Sequence, residues 1–263
     1  TGEPVWPIEE RAVAPSSVPG ERASPTQPFP TRPAPFEYQG TSIDDLVDFT
    51  PEIRQLAVAA ADRFRLGPLF TPQMLAGTIM RPSVGGGANW SGAAVDPETG
   101  VLYVPSVNAY STIGISAPEP HEQQSTLNYI RRSLSAGPVM PRGLPLWKPP
   151  YSRMTALDMN TGDHAWMTPT GNGDRIRNHP MLRDLELPPL GGEGLGGPVL
   201  TSTLLISALT AGGTDGGPRL IARDKATGEI VGSVDLPAGA IGTPMTYMHA
   251  GTQYIALTVG GDV

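Results

Sequence analysis

Four histidines and no cysteine narrow the chemistry open to this chain of 263 residues. Without Cys there is no thiolate zinc site, iron–sulfur cluster, disulfide scaffold or Cys nucleophile. His121, His164, His179 and His249 show no H-x-x-x-H or other ligand spacing. His164 reads as a surface strand position and His249 as part of the turn HAGT. His179, beside Arg175 and Arg177, alone belongs to a polar cluster. No G-x-S-x-G elbow announces a hydrolase. The stretch Gly192-Glu193-Gly194-Leu195-Gly196-Gly197 satisfies the dinucleotide fingerprint G-x-G-x-x-G. That motif works only where a strand turns into a helix whose N-terminus meets the pyrophosphate, and here Pro198 and the strand-like VLTSTLLIS follow. Asp158, Asn160 and Asp163 begin a calcium-loop pattern that reaches Pro169 where a bidentate Glu is required. The strongest candidate is Asn89 in GGANWSG, preceded by Gly85, Gly86 and Gly87, where the lack of side chains would let backbone approach a planar ligand closely. The residues alone admit two readings of that corner: a ligand contact, or a turn satisfied by Asn89 with Trp90 packed between sheets.

The rest of the composition removes whole classes of partner. With 18 basic against 25 acidic side chains, a net charge of −7 and only 16% charged residues, the chain lacks the clustered cations on which nucleic-acid affinity rests. No apolar run reaches the ~18 residues of a bilayer span, and no basic-then-apolar leader pattern opens the chain. Hydrophobic residues at 39% suffice for a sizeable core. Glycine and proline are abundant, at 32 and 30, and nine of the prolines fall within residues 1–40.

These biases set the expected elements. Residues 1–40 are too rich in Pro for a helix or a central strand and read as an extended connecting arm. Residues 41–67 read as a helical insertion. Ser42 would cap a short helix over IDDLVDF, and Thr50 with Pro51 would open a longer one whose stripe is Ile53, Leu56, Ala57, Ala60 and Phe64, stopped at Gly67. After Phe70 short β-type runs appear at 93–95, 101–104, 155–157, 165–167, 199–208, 219–222, 230–234, 245–248 and 254–259. Many short strands separated by turn residues predict a sandwich, barrel or propeller. Residues 109–150, polar and Pro-rich, read as a surface insertion that covers something.

An internal repeat chooses among these architectures. D-x-x-T-G occurs as Asp96–Gly100, Asp158–Gly162 and Asp224–Gly228, and Thr1-Gly2 resembles the end of a further copy. Asp can accept backbone N–H bonds across such a turn, and Gly takes the positive φ that closes it. Trp166 falls four residues after Gly162 and Trp6 four after Gly2, while Val104 and Gly232 stand at that place in the other copies. A Trp at a fixed point can bury ~150–250 Å² against a neighbouring unit. Spacings of 62 and 66 residues between the Asp positions exceed the ~40–50 of a plain four-stranded blade, so blades carrying insertions are expected, with the three turns in successive blades.

The unit A-x-D-x-x-T-G-x-x-x-W resembles the tryptophan-docking repeat of the quinoprotein dehydrogenases. So do TGEPVWPIEE, ASPTQPFP, DFTPEIR, GPLFTP, GGANWSGAAVDPETGVLYVPS and LPAGAIGTPMTYMHAGTQYIALTVGG. The resemblance implies an all-β chain, 1–263, forming roughly the C-terminal half of an eight-bladed propeller with a short helical insertion. It implies an enzyme that oxidises a sugar, polyol or other alcohol with pyrroloquinoline quinone and passes electrons to a quinone or cytochrome. A periplasmic location, with inner-membrane association through an upstream region, goes with that reading. In the family the catalytic Asp, the cation beside the quinone and the ligands of a calcium or magnesium ion lie upstream, so none is expected here. By the same resemblance Asn89 donates its amide N–H to the quinone's carbonyl edge, Trp90 adjoins it, Leu195-Gly196-Gly197 forms a second cofactor-facing corner, and Gly260-Gly261 borders the cavity. The chain by itself would then be catalytically silent, bind quinone weakly or not at all, and self-associate. A non-catalytic propeller for binding or assembly, built on the same repeats, is the rival. The GGANWSG corner and LPAGAIGTPMTY speak for the dehydrogenases.

Overall fold

The computed structural model describes residues 2–119, 121, 126–133, 137–194 and 196–261. In chain order its strands are β1 Ile8–Ala12, β2 Thr26–Pro30, β3 Thr78–Met80, β4 Ala94–Asp96, β5 Val101–Val107, β6 Ser111–Ser116, β7 Ile130–Ser133, β8 Ser152–Asp158, β9 Asp163–Pro169, β10 Val199–Leu200, β11 Leu204–Leu209, β12 Arg219–Asp224, β13 Ile230–Asp235, β14 Met245–His249 and β15 Thr252–Ala256. Helices are α1 Pro51–Ala61 and α2 Asp174–Arg177. The chain divides into two compact units, one of Thr1–Thr31, Tyr38–Gly86 and Ala109–Lys148, the other of Arg32–Glu37, Gly87–Asn108 and Pro149–Val263.

In the first unit the Pro-rich arm is not merely extended: β1 and β2 pair antiparallel, with Ile8 opposite Pro30 and Glu10 opposite Pro28. A two-stranded ribbon gives each strand an outer edge, where the missing N–H of proline costs no ladder bond. α1 starts as its sequence requires, with the Thr50 hydroxyl accepting from Ile53 N at 3.2 Å and Pro51 in the first turn. Its buried stripe is Ile53, Ala57 and Ala61, with Phe64 buried just beyond the helix, and the expected Leu56 and Ala60 are only half-buried. The segment after Ser42 forms a single 3₁₀ turn, Ile43–Asp45, and not a helix through Phe49. Asp45 Oδ2 accepts from the Ser42 N–H and hydroxyl and also pairs with Arg81, whose buried guanidinium donates to Gly40 O and lies over the rings of Tyr38 and Trp147 at 4.9 and 4.5 Å. Residues 109–150 depart from the surface reading as well. They supply β6 and β7, which extend β3 into a three-stranded sheet in the order β3-β6-β7, and they bury Leu144, Leu146 and Trp147.

The second unit holds two four-stranded antiparallel sheets, β4-β5-β8-β9 and β10-β11-β12-β13, and the hairpin β14-β15. All three D-x-x-T-G segments are hairpin turns: Gly100, Gly162 and Gly228 have φ of +76°, +77° and +77°. Each glycine N–H donates to the carbonyl of its Asp, at 2.8, 2.7 and 2.9 Å. Each Asp carboxylate accepts the N–H two residues on, from Glu98, Asn160 and Ala226. The turns do not fall in three successive blades, however. The first two lie in one sheet, because β5 pairs with β8 over seven residues, from Val101 opposite Asp158 to Val107 opposite Ser152. The 62-residue spacing therefore measures an excursion within a blade, with the chain leaving β5, building β6 and β7, and returning.

The repeat's tryptophan joins the two sheets. Trp166 Nε1 donates to Lys225 O at 3.0 Å, inside the third turn, and its ring lies so close to Gly228 that an added Cβ would sit 2.7 Å from Cε3. Tyr103, 5.7 Å from the indole centre, donates its hydroxyl to the same carbonyl at 3.1 Å. The Lys225 side chain reaches back to the first turn and pairs with buried Asp96 at 2.6 Å. Beneath this contact lie Ala94, Met154, Ala156 and Leu205, the apolar core shared by both sheets.

Candidate functional site

Three chain segments and one strand end meet in the second unit around a cleft of about 430 Å³, within the range of small-molecule sites. Trp90 and Ser91 come from the turn before β4, Gly194, Gly196 and Gly197 from the approach to β10, and Ala240–Thr243 from the link between β13 and β14. Ala208–Thr210, at the end of β11, supply the remaining wall.

Glycine permits the meeting. A Cβ on Gly197 would lie 2.0 Å from Ser91 O and 2.5 Å from Thr243 Oγ1, so this one residue is where the three segments touch. Gly194 and Gly196 run along Ala208 O, where a Cβ would sit at 3.0 and 3.2 Å. The cleft thus presents bare backbone on one side. On its rim are the indole of Trp90, 98% exposed, and the side chain of Ile241, 71% exposed. Ser91, Thr210 and Thr243 belong to the lining, and among the described residues no Lys, Arg, Asp or Glu does.

The candidate residues separate here. Trp90 lines the cleft and Asn89 does not, although Asn89 is exposed and adjacent. Asn89 closes its own turn: Oδ1 accepts from Trp90 N at 2.9 Å and the main-chain carbonyl accepts from Gly92 N at 3.0 Å. Its amide oxygen is thus committed to backbone. Gly87 is held from behind by Glu37, whose Oε1 accepts from Ala88 N at 3.3 Å. Gly196 and Gly197 line the cleft, whereas Leu195 lies outside the described residues. Gly260 supports the wall without lining it, donating its N–H to Gly239 O at 2.8 Å beside the bridge between Ala240 and Val259. His179 is elsewhere, its Nδ1 accepting from Met181 N. His164 contacts Ala34 O at 2.8 Å. The G-x-G-x-x-G stretch opens no helix, as its flanking sequence predicts. Among the described residues, no three His, Cys, Asp or Glu side chains gather into a metal site, and no helix is long and apolar enough to cross a membrane.

Two walls carry no polar motif. Ala208–Thr210 read only as strand, and Ala240–Thr243 carry small apolar residues and one hydroxyl. Ala240–Thr243 do lie in LPAGAIGT, whose Gly and Ala allow close backbone approach and which resembles the quinoprotein dehydrogenases.

A family model for the glucose/ethanol/alcohol dehydrogenase β-propeller domain, named for PQQ (pyrroloquinoline quinone), matches residues 1–255. The chain belongs to this quinoprotein family. Its four-stranded antiparallel sheets are propeller blades, and the chain is all-β apart from its two helices. Similar proteins include the glycerol dehydrogenase large subunit of Gluconobacter thailandicus, 30% identical over 99% of this chain and 38% of that protein. The quinoprotein glucose dehydrogenase of Escherichia coli is 28% identical over 99% of this chain and 34% of its own length. The quinate/shikimate dehydrogenase (quinone) of Acinetobacter baylyi is 26% identical, again over 34% of its length. The chain thus spans about a third of the length of the curated relatives it matches. Among solved structures, the quinohemoprotein alcohol dehydrogenase of Comamonas testosteroni superposes with a TM-score of 0.44 at 21% identity, over 73% of this chain and 24% of the other.

Proposed function

We propose that this chain supplies one wall of a pyrroloquinoline quinone site in a dehydrogenase that oxidises a sugar, polyol or other alcohol and delivers the electrons to a quinone or cytochrome. The observation that carries this reading is the convergence on one cleft of GGANWSG, the glycine corner before β10 and LPAGAIGT, three segments that resemble the quinoprotein dehydrogenases. The relatives' names supply the substrate class, covering glucose, glycerol and quinate or shikimate.

The wall suits a flat, polar-edged ring. Bare backbone at Gly194, Gly196 and Gly197 lets a plane lie close, and Trp90 offers an exposed aromatic face. Bound quinone would supply the two-electron acceptor that the protein's side chains lack. By the family resemblance the Asn89 amide, beside this wall, would donate to the carbonyl edge of the quinone, a donor of the oxyanion type. Because the lining holds no cation, the carboxylates of the quinone must be neutralised from outside this wall, as must any calcium or magnesium ion be held. A periplasmic location and a membrane acceptor belong to the same reading.

Fluorescence titration tests it. Pyrroloquinoline quinone added to the 263-residue chain should give saturable quenching that disappears in Trp90→Phe and weakens in Asn89→Ala. One wall alone binds weakly, so the dissociation constant should be on the order of 1 mM, or about 4 kcal/mol. Quenching unchanged by Trp90→Phe would assign the cleft to something else.

A further inference from the structure

Glu193 is the buried centre of the stretch that imitates a dinucleotide fingerprint, and it lies immediately before the glycines that line the cleft. Only 4% of it is exposed. Among the described residues it forms no ion pair, although the Arg219 guanidinium and Glu193 Oε2 both border Gly212. Instead, backbone receives the charge: Oε2 accepts from Asn172 N at 3.0 Å, and Oε1 accepts from Gly173 N at 2.7 Å and Asp174 N at 2.9 Å. Three consecutive N–H groups converging on one carboxylate form an anion nest, made possible by the left-handed backbone of Gly171 and Gly173, with φ of +87° and +80°. The main chain of Glu193 is equally engaged. Its carbonyl accepts from Thr210 N at 2.5 Å and Thr210 Oγ1 at 2.8 Å, and its N–H donates to Thr170 O at 3.4 Å. One residue therefore ties the link after β9 to the end of β11. Thr210 lines the cleft, and so do Gly194, Gly196 and Gly197, which follow Glu193 directly.

We propose that Glu193 is a positioning residue for this cleft, a buried carboxylate whose nest fixes the glycine wall, and through Gly197 the Ser91 and Thr243 segments, in the geometry that receives a planar ligand. That the ligand is a quinone rests on the functional reading above, but that Glu193 sets the wall does not. Burial of a charge is costly unless it is paired or hydrogen-bonded. Three N–H donors meet it here, and they can do so only with the 170–174 link in this one place. Gly197 passes the constraint on, since it has no free space on the side of Ser91 O and Thr243 Oγ1.

Hydrogen exchange on the whole chain, read by peptide mass spectrometry with and without pyrroloquinoline quinone, tests the proposal. Glu193→Ala should speed exchange on the order of tenfold or more in 170–174, through loss of bonds to a charged acceptor. The same change should appear in the Ser91 and Thr243 peptides, which Glu193 does not touch, while β12 and β13 keep wild-type rates. Glu193→Gln retains an oxygen for Gly173 and Asp174 but sets an amide N–H against Asn172 N–H, so it should fall between wild type and Ala. If Ala does not fold, the Gln variant carries the same test. Acceleration confined to 170–174, or spread equally over β12 and β13, would overturn the proposal by making Glu193 a local or a general stabiliser. The quinone arm separates the two readings. A wild type that shows no Trp90-dependent quenching refutes the quinone site and leaves the exchange result to stand or fall alone. A wild type that binds, with Glu193→Ala binding equally well, refutes the positioning role.

Discussion

Replacing Trp166 should separate the parts of the contact between the two four-stranded sheets. In Trp166→Phe a smaller aromatic ring remains and the bond to Lys225 O is lost. That carbonyl still accepts from Tyr103, so it is not orphaned, and the cost belongs at the low end for a hydrogen bond, about 0.5–1 kcal/mol. Trp166→Ala also removes the ring. Full burial would make that about 3–5 kcal/mol, but Trp166 is half-buried, so about 2–3 kcal/mol follows. At roughly 2–4 °C per kcal/mol for a chain of this size, the phenylalanine variant should melt about 1–4 °C lower and the alanine variant about 4–12 °C lower. Gly228→Ala puts a methyl 2.7 Å from the indole in left-handed backbone, costing about 1–2 kcal/mol for backbone strain and about 1–3 kcal/mol for overpacking. Only the second part needs the indole. In the double variant Trp166→Ala/Gly228→Ala the overpacking vanishes, so a double-mutant cycle should show coupling of at least about 1 kcal/mol. Urea unfolding monitored by circular dichroism measures all four species. Strict additivity would refute the ring-on-glycine contact, and a phenylalanine variant as unstable as alanine would refute the assignment of most of the energy to packing.

Three further outcomes follow from named contacts. Lys225 beside Asp96, with help from the Thr99 hydroxyl, holds the Asp96 carboxyl down to about 2 from the usual 3.8. A depressed folded value stabilises above the unfolded one and is lost as pH falls, so the stability gap between wild type and Asp96→Asn should be widest above pH 3.8 and close toward pH 2 in acid titration of the folded fraction. Gly197→Ala should leave the blade strands intact, because the clash falls on Ser91 and Thr243. It should lower the melting temperature by about 2–12 °C, from ~1–3 kcal/mol of overpacking, and abolish quinone quenching. An unchanged melting temperature would show that the three segments do not meet there. Thr50→Ala should cost about 1 kcal/mol in the stability of the unit that contains α1, with Thr50→Ser restoring it, as urea midpoints would report.

Turns and strands were legible because their physics is local. Asp followed by Thr-Gly closes a hairpin whatever surrounds it, and the alternating runs near 101, 155, 219 and 230 became β5, β8, β12 and β13. Pairing was less legible. Nothing between Val107 and Ser152 announces that β5 waits for β8, and the spacing of D-x-x-T-G alone suggested separate blades. The β1–β2 ribbon was hidden by its own prolines, which forbid a central strand but not an outer one. At the site, Trp90 could be read from its glycine-rich corner. Glu193 looked like filler in a nucleotide motif, since its partners are the N–H groups of residues 172–174, and backbone donors carry no side-chain signature. For α1, the cap was readable and the buried face only in part, because Ala at 57, 60 and 61 leaves the apolar stripe free to rotate until packing selects it.

A crystal structure of the chain soaked with pyrroloquinoline quinone decides whether three distant segments build a quinone-receiving wall. The quinone should lie in the cleft bounded by Trp90, Gly197 and Thr243, its ring against the Trp90 indole and a carbonyl edge toward Asn89. Quinone bound at another surface, or Ser91, Gly197 and Thr243 found apart, would contradict that reading.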